Sequence, residues 1–183
     1  MKKLQFEEIK SQRLNIERLS QERRFPIYSV LDNVRSMYNV GSVFRTSDAT
    51  RIEKLILCGM TAYPPRKEID KTALGSVESV PWGYYKDSVE AVTSLKSQGI
   101  KIVAVEHTDQ SVDYRHLDVP FPIALVFGHE INGVKDEIIA LADHAIEVPM
   151  YGVKQSLNLS VAYGIVVYQF VFQHLEQEKS HST

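Results

Sequence analysis

The sequence predicts an α/β domain with a mainly parallel sheet, and three observations carry that expectation. Short apolar, β-favouring runs alternate with helical patterns along most of the chain. The run FPIALVF (121–127) is apolar without alternation, as a strand covered on both faces must be. The connections are mostly short and no second core is evident, so 183 residues read as one domain of ordinary globular composition.

Taken in order, residues 3–24 read as one polar helix with Phe6, Ile9, Ile16 and Leu19 on its apolar stripe. We treat 1–24 as an N-terminal helical extension and 25–183 as the main domain. Packing on the body or on a second subunit, and binding a partner, are both open to the extension. FPIYSVLDNV (25–34) is a strand. A helix follows, with Val40, Val43 and Phe44 inward, Asn39 as its expected N-cap and Arg45 six residues further on. KLILCGM (54–60) is a second strand, in which Cys58 reads as a buried, inert thiol. A short helix about Ile69–Leu74 closed by Gly75, a strand-like piece near Ser79–Trp82, a helix over 87–99 and a strand at 101–108 come next. After a polar loop to Pro120, the apolar strand ends in Gly128-His129-Glu130-Ile131-Asn132-Gly133. The helix Lys135–Leu141, the strand Ala145–Val148 and a long helix over 157–178, apolar nearly all round, complete the chain.

Composition excludes several function classes. No apolar run reaches membrane-spanning length, and the lysines at the start precede no signal-type apolar region, which points to the cytoplasm. One cysteine precludes an internal disulfide, and scattered histidines argue against a metal. Net charge is −2, yet residues 1–54 hold eleven Lys/Arg against seven Asp/Glu, while 55–183 hold ten against sixteen. A basic N-terminal third suits contact with phosphates and equally suits a solvated surface. There is no GxGxxG or GxxxxGK[ST] loop, so dinucleotide and nucleoside-triphosphate sites find no support.

Three polar constellations stand at ends of predicted strands, where ligands bind in parallel α/β sheets. They are Asn39 with Arg45, the Gly128–Gly133 loop with Glu130, and Ser156 with Asn158 after the strand that stops at Pro149. Singly, each has an ordinary structural explanation: a helix cap, a surface arginine, a turn. Their order and shared placement raise their weight.

The segments LDNVRSMYNVGSVFRTSDA, IALVFGHEINGV and IEVPMYGVKQSLNLSVA resemble the three motifs of the SpoU (TrmH-like) class of SPOUT RNA methyltransferases, and KTALGSVE fits the pattern between the first two. The resemblance covers about residues 28–172. It implies a doubly wound parallel sheet with a C-terminal trefoil knot, S-adenosyl-L-methionine as cofactor, a homodimer, and methyl transfer to a ribose 2′-hydroxyl of RNA. With no separate RNA-binding domain in view, tRNA is the expected substrate and rRNA stays open. The resemblance makes Asn39, Arg45, Glu130, Ser156 and Asn158 the catalytic set, with Phe127, Gly128, Val148, Met150 and Leu157 lining the adenosine pocket. A guanidinium is effectively always protonated, so Arg45 is expected to clamp the target phosphate rather than act as base, and Glu130 to accept backbone N–H groups. An inactive, knotted RNA-binding or assembly factor is the alternative; the presence of all five polar residues weighs against it.

Overall fold

The computed structural model describes residues 1–181. Its centre is a seven-stranded sheet in the order β3-β2-β1-β6-β4-β7-β5, with every pairing parallel. The strands are β1 (Phe25–Asp32), β2 (Ile52–Cys58), β3 (Trp82–Tyr85), β4 (Lys101–Val105), β5 (Val112–Asp113), β6 (Ile123–Phe127) and β7 (His144–Glu147). The helices are α1 (Phe6–Ser11), α2 (Ile16–Gln21), α3 (Met37–Ala49), α4 (Lys67–Ala73), α5 (Ser88–Ser97), α6 (Asp136–Leu141) and α7 (Leu159–His181).

All five residues of β6 are buried, because the sheet is covered on both faces. Side chains alternate across a strand, so Ile123, Leu125 and Phe127 join one core with Phe44 of α3 and Tyr163, Val166 and Phe170 of α7. Ala124 and Val126 join the other, with Val92 and Leu95 of α5 and Ile138 of α6. Cys58 lies in this second core; burial, then the nearby Asp32 charge, pushes its thiol up to about 12, which keeps it unreactive near neutral pH.

The strand order positions the site. The chain lays down β1, β2 and β3 outward in one direction and then places β4 and β5 on the other side. It returns to insert β6 between β1 and β4, and β7 between β4 and β5. Late strands thus enter between early ones, an order in accord with the trefoil knot that the resemblance implies. Because every strand is parallel, the segments leaving β1, β4, β6 and β7 all emerge at one edge.

Five local expectations change. The N-terminal region is two short helices instead of one. α1 ends at the C-cap Gln12, and Asn15 starts α2 by accepting the Arg18 N–H at 2.8 Å, so a local cap outcompetes helix continuity. Neither helix buries a residue. Ser36, not Asn39, caps α3 and accepts the Asn39 N–H at 3.2 Å. β3 lies three residues beyond the expected Ser79–Trp82 start, and the two-residue β5 falls inside the stretch read as loop, being too short to show alternation. α7 begins at Leu159 because Asn158 stands at its N-terminus, its side-chain oxygen accepting the Ser160 N–H at 2.9 Å. Among the described residues no helix is long and apolar enough to cross a membrane, and no His/Cys/Asp/Glu group could hold a metal ion.

Candidate active site

At the carboxyl edge, the segments after β4, β6 and β7 and the first turn of α7 enclose a cavity of about 470 Å³. That is within the range of sites for small organic ligands, about 300–1,000 Å³. Phe127, Gly128, Val148, Met150 and Leu157, the five residues expected to line an adenosine pocket, all line this one cavity. So do Glu130, Ser156 and Asn158.

Gly128 is required by crowding. A Cβ there would stand 2.1 Å from the Gly133 carbonyl carbon and 2.2 Å from Val134 N, so a side chain would force the β6 loop apart. Gly133 adopts φ +68°, and a Cβ on it would meet the Glu106 carboxylate at 2.1 Å. The loop folds back on itself through His129 N–H to Gly133 O at 3.0 Å and the reciprocal bond at 2.9 Å. Glu106 ties it to β4 by accepting the Val134 N–H at 2.9 Å.

Glu130 joins the second motif to the first. Its two carboxylate oxygens accept the Arg35 and Ser36 N–H groups, each at 3.0 Å, at the N-terminal end of α3 where the helix dipole favours negative charge. Partial burial opposes its ionisation. The backbone donors of Arg35, Glu130 itself and Ser36, with the Asn39 amide, outweigh that and hold the carboxyl below its ordinary range. The expectation that Glu130 accepts backbone N–H groups is met, and the loop it holds is the one after β1.

Asn39 is the hinge of the arrangement. Because Ser36 caps α3, the Asn39 amide is free to donate to Glu130 Oε1 at 3.3 Å and to accept from the Asn158 amide at 3.2 Å. Asn158 Oδ1 in turn accepts from the Ser160 N–H and hydroxyl. A continuous chain, Glu130–Asn39–Asn158, therefore joins all three motifs and fixes the amide orientations. Ser156 lies at the exposed rim of the cavity.

Arg45 is not brought to this cavity. It is exposed on α3, six residues beyond Asn39 and hence about 9 Å further along the axis, and it has no hydrogen-bond or ion-pair partner among the described residues. The helix that carries it, α3, packs along α7, on whose outer ridge Val161, Ile165, Tyr168 and Phe172 repeat at spacings of four, three and four. Val161, Tyr168 and Phe172 are 50%, 42% and 59% exposed, far more than their apolar spacing warrants on a helix with no other covering.

Sequence reasoning missed the end of β4. Val105, Glu106 and His107 line the cavity, as does Glu147 at the end of β7. KIVAVEHT passes from apolar to polar at a strand end just as the other motifs do, and that was the available signal. No Lys or Arg lines the cavity, whose walls carry Glu106, Glu130 and Glu147. Apolar walls for a flat base, close-approaching backbone at Gly128 and carboxylates for positive charge fit S-adenosylmethionine, which bears an adenine and a sulfonium.

The comparisons with known proteins agree with this architecture. The family model described as the SpoU rRNA Methylase family matches residues 26–168. The tRNA (guanosine(18)-2′-O)-methyltransferase of Thermus thermophilus is 32% identical over 170 residues, 93% of this chain and 87% of that protein. The crystal structure of the Aquifex aeolicus TrmH/SpoU tRNA modifying enzyme superposes with a TM-score of 0.80 at 34% identity, covering 89% of this chain and 84% of that one. The AdoMet-bound rRNA methyltransferase from Sinorhizobium meliloti gives 0.77 at 31% identity, covering 86% of this chain and 60% of that one. The parallel sheet with late-inserted strands, the cavity at its carboxyl edge and these matches lead to one conclusion: the chain belongs to the SpoU methylase family.

Proposed function

We propose that this protein is an S-adenosylmethionine-dependent methyltransferase acting on a ribose 2′-hydroxyl of tRNA. The observation that carries the reading is the single cavity lined by residues of the second and third motifs, tied to the first through Glu130–Asn39–Asn158. Relatives that are about a third identical over most of their length are named for 2′-O-methylation of guanosine 18 in tRNA, which makes that nucleotide the first to test here.

Phe127, Val148, Met150 and Leu157 would hold the adenosine part, with Gly128 letting the backbone come close. The cofactor supplies an electrophilic methyl group on a sulfonium. This chain's residues must then place the ribose oxygen in line and dispose of its proton. Correct placement alone supplies much of such an acceleration. Ser156 at the rim faces the incoming ribose, and the Asn158 amide, fixed by Asn39, braces that rim. Arg45 holds the target phosphate as a permanent cation and steadies the charge that develops on the oxygen, with the proton leaving to phosphate or water.

Since Arg45 stands away from its own cavity, the same reading assigns it to the cavity of a second copy. The uncovered Val161–Phe172 ridge of α7 would form the dimer contact. On this reading the enzyme works in the cytoplasm, where tRNA is the substrate at hand.

The test is incubation with methyl-labelled S-adenosylmethionine and unmodified tRNA or rRNA, followed by mapping of 2′-O-methyl riboses. Label at one ribose of tRNA is the expected result. Cofactor binding with no transfer to either RNA would favour the inactive RNA-binding factor instead.

A further inference from the structure

His107, at the end of β4, has no part in the transfer as described, yet its ring stands at the cavity wall with both nitrogens engaged. Nδ1 lies 3.1 Å from Glu147 Oε2, and Nε2 lies 3.2 Å from the Gln155 carbonyl oxygen. Both neighbours are acceptors. A carbonyl has no proton to give. The Glu147 carboxyl is held below its ordinary range, first by the Ser111 hydroxyl and then by His107, so it is ionised near neutral pH.

A neutral imidazole has one N–H and one lone pair, and would set that lone pair against one of the two acceptors. Only the imidazolium satisfies both. Carboxylates surround the ring. Glu147 faces it from β7, Glu106 Oε1 accepts the His107 N–H at 2.9 Å, Asp113 of β5 adds negative potential beside Glu147, and no Lys or Arg lines the cavity.

The two acceptors differ in kind. Glu147 ends a strand of the central sheet, whereas Gln155 lies in the exposed segment 151–158, which has no helix or strand of its own. Met150, Ser156 and Leu157, which wall the cavity, flank or belong to that segment. Among the described residues, the His107–Gln155 bond, besides a Tyr151–Arg115 contact, is the hydrogen bond that ties residues 151–157 to the body.

We propose that His107 is a positioning residue that, as an imidazolium, latches the 151–157 segment across the cavity between Gln155 and Glu147, so that cofactor binding is coupled to a proton. The inference rests on the reading of the cavity as the S-adenosylmethionine site. The latch is intact while both ring nitrogens of His107 carry a proton and is lost when one is removed, so cofactor affinity falls with rising pH.

The experiment is calorimetric titration of S-adenosylmethionine into the full chain between about pH 6 and about pH 8.5, repeated in buffers of different ionisation enthalpy to count protons. Wild type should lose roughly fivefold to tenfold in affinity across that range and take up protons on binding at its upper end. His107→Gln should bind as weakly at low pH as wild type does at high pH, with a flat profile. His107→Arg, a permanent multiple donor, should recover affinity and stay flat, and Glu147→Gln should also flatten the profile. In turnover, His107→Gln should raise KM for the cofactor more than it lowers kcat. A His107→Gln profile that matches wild type in affinity and slope overturns the latch alone. Absence of binding by wild type at every pH overturns the cofactor reading and the latch with it.

Discussion

The cavity wall and the outer faces of α3 and α7 are built from the same motifs but differ in completeness. Around the cavity, the polar groups of the three motifs are paired: Glu130 with two backbone N–H groups and Asn39, Asn39 with Asn158, Asn158 with Ser160. On the outer faces, Arg45 is exposed without a partner among the described residues, and Val161, Tyr168 and Phe172 present apolar surface to solvent. On the proposed reading, one chain is therefore finished as a cofactor pocket and unfinished as a place to hold RNA. That reading predicts that the two halves of the reaction are separable by mutation.

The largest expected effect is on the unfinished side. Arg45→Ala should lower methyl transfer by about a hundredfold or more, the scale of losing one positioned charge at a developing oxyanion. Its S-adenosylmethionine affinity should stay within about twofold of wild type, because no distance in the chain brings Arg45 to the cavity. Near-normal transfer by that variant would remove Arg45 from the reaction. Next, Phe172→Glu should abolish dimerisation in sedimentation experiments and lower transfer more than tenfold, with the cofactor still bound.

On the finished side the effects are smaller and fall on binding and stability. Gly128→Ala should cost about 1–3 kcal/mol in chemical denaturation and weaken cofactor binding, since its Cβ has no space beside Gly133. Glu130→Gln should cost about 1 kcal/mol or less, because solvent reaches the carboxylate, and should leave cofactor affinity nearly unchanged. Its folded-state pKa is depressed, so its stabilisation is present above the ordinary carboxyl value of 4.5 and is lost as pH falls through the folded value. The Glu130→Gln variant should thus lose the part of the acid sensitivity that wild type shows below that value. Lost transfer with unchanged stability would instead give Glu130 a chemical role.

The smallest effect concerns the N-terminus. Removal of residues 1–24 should weaken RNA binding more than cofactor binding in filter or fluorescence assays. Its two helices bury nothing, but Arg24 donates to the Ile52 and Ser79 carbonyls at 3.2 and 2.8 Å, so the truncation should cost some stability while leaving the cavity, which none of these residues lines, intact. Equal RNA affinity in the truncated chain would refute this.

What could be read from the residues follows from how local each signal is. The burial of β6 on both faces shows as an unbroken apolar run, and the need for Gly128 shows as a glycine at a strand end. The partners of Glu130 could not be read, because they lie 94 and 95 residues away and depend on β6 inserting beside β1. The break at Gln12–Asn15 was hidden because a capping side chain resembles any other polar residue of an exposed helix. Asn39 shows the opposite case: it is a good capping residue by type, while Ser36, three positions earlier, already fills the cap. That displacement is what frees the amide to link the motifs.

The claim that one chain supplies the pocket and another the arginine is tested most directly by pairing two inactive variants. Arg45→Ala and Met150→Arg, the second blocking the cavity, are co-expressed and purified as a mixture. With Arg45 acting across the dimer, half the molecules are mixed dimers carrying one whole site, so roughly a quarter of wild-type transfer should return. If each variant alone and the mixture are equally inactive, Arg45 serves its own chain, and the division between a finished and an unfinished half is wrong.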